Sequence, residues 1–126
     1  MRIDHFALNV KEPHLMAQWY VTNLNMSFVR RSDEPPYVHM LASADGGSMI
    51  ELYANPAGEF LDYSRMHALT FHIAIATDDL VSDRDRLVVA GATVDSDIMI
   101  NPSGYQMVII RDPWGNALQL VQAPEE

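Results

Sequence analysis

The chain has 126 residues, 48% of them hydrophobic and 20% charged, which suits one globular domain large enough to bury its own core. Its formal charge of −9, with Lys11 the only lysine, argues against nucleic acid as a partner, because that binding relies on Lys and Arg to neutralise phosphates. The absence of cysteine excludes disulfides, thiolate ligands and thiol nucleophiles; no apolar run reaches the roughly 20 residues of a membrane span, and the N-terminus lacks the apolar core of a signal peptide, so the cytoplasm is the expected compartment.

Residues 2–10 alternate as a strand, with Phe6, Leu8 and Val10 on one face and His5, Ala7 and Asn9 on the other. Pro13 suits the first turn of a helix running to about Leu24, with Leu15, Trp19 and Leu24 among its apolar positions. Strand-like runs follow at 26–31, 37–42 and 48–53, and Asp45-Gly46-Gly47 marks a hairpin between the last two. The order then repeats. A strand over 70–77 precedes a helix capped by Asp78 or Asp79 and ended by Gly91, then strands over 93–98, 106–111 and 117–122, with the turn Asp112-Pro113-Trp114-Gly115-Asn116 before the last. The predicted class is α+β, built from two tandem βαβββ modules within a single domain. Module 1 covers about 1–55, a connector about 56–68 and module 2 about 69–122.

The repeat extends to polar residues. His5 is matched by His72, 67 residues on, and Glu51 by Gln119, 68 residues on. On all four strands the large aliphatics face away from these residues, and the histidines share their face with Ala7, Ala74 and Ala76. That pattern predicts a helix-covered core on one side and a roomier wall on the other. A lone strand histidine is more often structural than a ligand, but matched spacing sets this group apart. Two imidazoles, a carboxylate and an amide oxygen suit one divalent metal ion such as Ni²⁺, Zn²⁺, Co²⁺, Fe²⁺ or Mn²⁺, which would polarise a substrate oxygen. His14, His39 and His67 have no matched partners and are read as surface or structural residues.

Ile3-Asp4-His5, the Trp19-Tyr20 to Leu24 stretch, Ile50-Glu51-Leu52, Phe71-His72-Ile73-Ala74 and Asp112 to Leu120 together resemble the vicinal oxygen chelate superfamily, which includes glyoxalase I, extradiol dioxygenases and bleomycin resistance proteins. The resemblance covers nearly the whole chain. It implies a curled, partly open mixed sheet around one site, a small-molecule substrate and a homodimer. The order His5, Glu51, His72 looks most like bacterial glyoxalase I, a lyase that moves a proton between adjacent carbons of a hemithioacetal through a metal-stabilised enediolate. By that resemblance His5, Glu51, His72 and Gln119 bind the metal. Relatives carry a carboxylate at the fourth position, where Gln119 cannot accept a proton, so Glu51 becomes the expected catalytic base. Glutathione-using relatives carry Arg and Asn four residues beyond the first His and the Glu. Here those substrate-binding positions are Asn9 and Asn55, one changed and one kept. The alternative implied by the same resemblance is a ligand-sequestering protein of the bleomycin-resistance type, without catalysis.

Overall fold

In the computed structural model, which describes residues 1–126, the chain forms two units, Met1–Leu61 and Asp62–Glu126. Each is an open mixed sheet with one helix, so the class is α+β. In unit 1, β1 (Phe6–Asn9) runs parallel to β4 (Met49–Tyr53), followed across the sheet by β3 (His39–Ala42) and β2 (Ser27–Arg31), both in antiparallel pairings. A βαβ crossover through α1 (Pro13–Asn23) would join neighbouring parallel strands; here two further strands intervene, and β4 returns to lie beside β1.

The helix α1 packs on β3 and β4. Its buried stripe is Pro13, Met16, Ala17 and Tyr20, the spacing of one helical face. Of the apolar positions named from sequence, Leu15 is 53% exposed, while Leu24 is buried just beyond the helix end. Opposite α1's stripe stand Leu8, Leu41, Ile50 and Leu52, which share one face of the sheet and are all buried. His39 is buried on the same face and donates from Nδ1 to the carbonyl of Tyr37 at 2.7 Å. Its role is structural, as expected.

Unit 2 repeats the plan. β5 (Ile73–Ala76) lies parallel to β9 (Ala117–Gln122), which pairs antiparallel with β8 (Gln106–Arg111). α2 (Leu80–Val89) packs on β8 and β9 and is capped by Asp79, whose carboxylate accepts from the Ser82 amide at 3.1 Å. Gly91 follows in the left-handed region at φ +114°, where a helix commonly stops. Val108, Ile110, Leu118 and Leu120 form the buried face beneath α2.

Three strands differ from expectation, among them β5, which begins at Ile73 rather than Thr70. The first strand begins at Phe6 rather than Arg2, because β4 offers its first rung at Ile50, opposite Phe6; Phe6 itself is 62% exposed. Of the strand expected over 93–98 only β6 (Thr93–Val94) forms, and β7 (Met99–Ile100) follows beyond that range, both paired with β8. Between them the Ile109 carbonyl accepts from the amides of Asp95 and Ser96, and Ser96 Oγ accepts from the Ile109 amide at 2.9 Å. The side-chain bond replaces a ladder rung, so the strand bends away.

Candidate metal and substrate site

Identical pairing places the candidate residues of the two units equivalently. Ala7 lies opposite Glu51 in the β1–β4 pair, and Ala74 lies opposite Gln119 in the β5–β9 pair. Residues directly opposite one another share a face, so Glu51 and Gln119 stand on the side away from the helix-covered core. His5 and His72 each lie one residue before their strand, where side-chain direction is freed from the ladder.

Within unit 1 the structure brings His5 and Glu51 together, with His5 Nε2 3.9 Å from Glu51 Oε2. The other ring nitrogen, Nδ1, lies 2.8 Å from Asp4 Oδ2. An ionised carboxylate only accepts, so Nδ1 carries the proton and a neutral His5 offers its Nε2 lone pair towards Glu51. The same bond holds the Asp4 carboxyl below its ordinary range, with the nearby Arg2 charge adding to the effect. Glu51 is largely shielded, its side chain 15% exposed. A cation also reaches it: Arg30 Nη2 lies 3.7 Å from Glu51 Oε2.

In unit 2, His72 Nδ1 lies 2.8 Å from the Ala68 carbonyl. A carbonyl also only accepts, so this ring too is fixed with Nε2 as its free lone pair. Gln119 is half-buried on β9. No three His, Cys, Asp or Glu side chains gather in a group suited to an ion; His5 and Glu51 approach one another in unit 1, and His72 and Gln119 hold the equivalent strand positions in unit 2. Imidazole Nε2, carboxylate and amide oxygen are donors for borderline divalent metals, and a hydrogen-bonded Nδ1 is the usual support of a metal-binding histidine. The donor types therefore suit such an ion.

Asn9 and Asn55 meet each other. The Asn9 amide donates to the carbonyls of Asn55 and Glu59 at 2.9 and 3.0 Å, and its Oδ1 accepts from the Asn55 amide at 2.8 Å. Asn55 Oδ1 in turn accepts from the Ala57 amide at 3.0 Å. Both side chains thus organise the loop after β4. Gly58 allows the approach, since a Cβ there would lie 3.1 Å from Asn9 Nδ2.

Sequence reasoning assigned no role to two residues beside Glu51 and His5. Asp4 carried a signal, being an acid adjacent to a candidate ligand. Arg30 carried none, because its position depends on an irregularity in β2.

A family model described as Glyoxalase/Bleomycin resistance protein/Dioxygenase superfamily matches residues 2–120. A relative from Vibrio cholerae named probable lactoylglutathione lyase is 28% identical over 127 residues, covering 96% of this chain and 90% of its own. Among solved structures, a glyoxalase family protein from Bacillus cereus superposes with a TM-score of 0.84 at 17% identity, covering 99% of this chain and 95% of that one. TnmS3, an antibiotic binding protein from a Streptomyces species, gives 0.74 at 19% identity, covering 98% and 96%. These two structures establish likeness of fold.

Proposed function

From a chain that belongs to the glyoxalase/bleomycin resistance protein/dioxygenase superfamily, we propose a metal-dependent lyase or isomerase of glyoxalase type, acting on a small substrate with adjacent oxygens. The observation that carries the reading is the 3.9 Å approach of His5 Nε2 to Glu51 Oε2, with His5 oriented by Asp4. The proposed ligands are His5 and Glu51, and at the equivalent positions of unit 2, His72 and Gln119. A bound divalent ion supplies Lewis-acid polarisation of a substrate oxygen.

The chain's own residues do the rest. Asp4 and the Ala68 carbonyl hold the two imidazoles in the tautomer that exposes Nε2. Glu51 is the candidate base: its carboxylate, free to leave the ion during turnover, would take a proton from one substrate carbon and return it to the neighbouring carbon while the hydroxyl proton passes between the two substrate oxygens, so the enzyme ends unchanged. Gln119 binds without competing for that proton, since an amide has no basic lone pair at neutral pH. The homodimer implied by resemblance and the cytoplasmic location expected from the sequence belong to the same proposal.

The experiment is metal content of protein purified without chelator, followed by isomerisation assays on hemithioacetals of several thiols. About one divalent ion per chain, lost in His5→Ala, is the expected result; Glu51→Gln should abolish proton transfer. Protein that takes up no divalent ion would defeat the reading. The amide at Gln119, where a second carboxylate would supply a base, favours one other reading, a ligand-sequestering protein without turnover. Gain of activity in Gln119→Glu separates the two.

A further inference from the structure

The β2 strand carries a bulge. Phe28 pairs with Leu41, but the next rung joins Arg30 to Met40, leaving Val29 as the extra residue. In an unbroken ladder Val29 would oppose Met40, and Arg30 would oppose His39 on the face covered by α1. The extra residue turns Arg30 to the other face. Met40 opposes Glu51 in the next pair, so Arg30, Met40, Glu51 and Ala7 form one row across the sheet. Bulges commonly re-aim a side chain next to a functional site.

The guanidinium delivered there makes one long ion pair, to Glu51. Its approach to Glu51 is 3.7 Å, too long for a hydrogen bond, and its side chain is 68% exposed. The other arginines are engaged. Arg2, Arg65, Arg84 and Arg86 pair with Asp4, Asp62, Asp85 and Asp83; Arg111 holds Asp95 and three carbonyls; Arg31 lies 4.5 Å above the Phe28 ring. Arg30 alone presents a planar fork of donors to the wall that holds Glu51.

We infer that Arg30 is a specificity-determining residue, and that the substrate carries an oxyanion group, a carboxylate or phosphate, which this guanidinium grips in a bidentate pair. The inference rests on the metal reading above. Glu51 engaged as a ligand shares its charge with the ion and leaves Arg30 to seek another anion. A chain of net charge −9 otherwise repels anions, so a local cation is needed to admit one.

The test uses intact protein loaded with Ni²⁺ or Zn²⁺, with uptake measured first by equilibrium dialysis. Calorimetry then compares propionohydroxamate, a neutral-tailed chelator, with the monohydroxamates of malonic and succinic acids, which add a carboxylate to the same head. At least one carboxylated probe should bind about tenfold tighter or more than the neutral-tailed probe, and the preference should shrink with added salt. Arg30→Gln should erase the preference while propionohydroxamate still binds, which also reports correct folding. Arg30→Lys should retain only part of it. A phosphate tail in place of the carboxylate distinguishes the two oxyanions. Metal uptake with equal affinity for charged and neutral tails in the wild type overturns this inference alone. Failure of metal uptake overturns the metal reading and this inference with it. If Arg30→Gln does not fold, the wild-type tail preference, its salt dependence and Arg30→Lys decide the question.

Discussion

Gly115 sits where the chain tolerates no side chain. Its φ is +84°, and a Cβ built on it would lie 2.3 Å from Ser64 Cβ and 2.8 Å from Ser64 Cα. The clash cannot be relieved by turning a flexible side chain, because Ser64's own backbone is involved. That backbone is pinned: Arg111 donates to the carbonyls of Tyr63, Met66 and Gly115 at 3.3, 2.9 and 3.1 Å, and Asp62 accepts from the Ser64 amide at 3.1 Å. Gly115→Ala therefore combines left-handed strain of about 1–2 kcal/mol with overpacking of about 1–3 kcal/mol, together about 2–5 kcal/mol. Against a typical total of about 5–15 kcal/mol this lowers the melting temperature by about 10 °C or more. Urea unfolding with an unchanged slope measures it. Ser64→Gly removes the 2.3 Å contact but not the 2.8 Å one, so Gly115→Ala should cost less in that background, though not nothing. A cost below about 0.5 kcal/mol, the scale of an ordinary surface change, would refute the reasoning.

Asn9→Ala should cost about 2–3 kcal/mol, since it removes three hydrogen bonds of about 0.5–1.5 kcal/mol each, and should speed amide exchange at Asn55. Unchanged stability would show that the loop after β4 does not depend on this side chain. Asp4→Asn removes the charge behind His5 and should weaken divalent-metal affinity about tenfold or more, read by competition with a chromophoric chelator; equal affinity would separate Asp4 from the site. Asp45 accepts from Ser43 Oγ and the Gly47 amide at 2.6 and 2.9 Å, which holds its carboxyl below the ordinary value. A depressed folded pKa stabilises above the unfolded value and is lost as pH falls through the folded one, so Asp45→Asn should flatten the decline of stability below about pH 4. Parallel acid-unfolding curves for the two proteins would contradict this.

What the sequence made legible was mostly local. The strands Gln106–Arg111 and Ala117–Gln122 have the expected bounds, because Asp112 to Asn116 is an unmistakable turn: the Asp112 carboxylate accepts from the amides of Trp114 and Asn116. The approach of Glu51 to His5 follows from two alternating strands and a repeat, both countable in one dimension. The buried face of α1 was not legible from apolarity, because Leu15 is more apolar than Ala17, yet Ala17 is the residue that packs against the sheet. The break between β6 and β7 depends on the Ser96 hydroxyl meeting a backbone amide 13 residues away, and no local propensity records such a bond. Arg30 was invisible for the same reason. A bulge is a property of two strands together, and Ser27 to Arg31 alone does not say which residue of β3 each one faces.

The bulge in β2 and the break between β6 and β7 have a common consequence for life in a crowded solution. Both fall on outermost positions of their sheets, where unpaired amides and carbonyls would otherwise template foreign strands. On β2 the hydrogen-bonding rhythm slips at Val29 and two arginines follow; along β8 the last partner is only two short rungs separated by a detour. A passing extended peptide finds no uninterrupted rail on either border. Straightening them, for instance by deleting Val29, is therefore expected to raise aggregation in light-scattering measurements even where the folded protein remains stable.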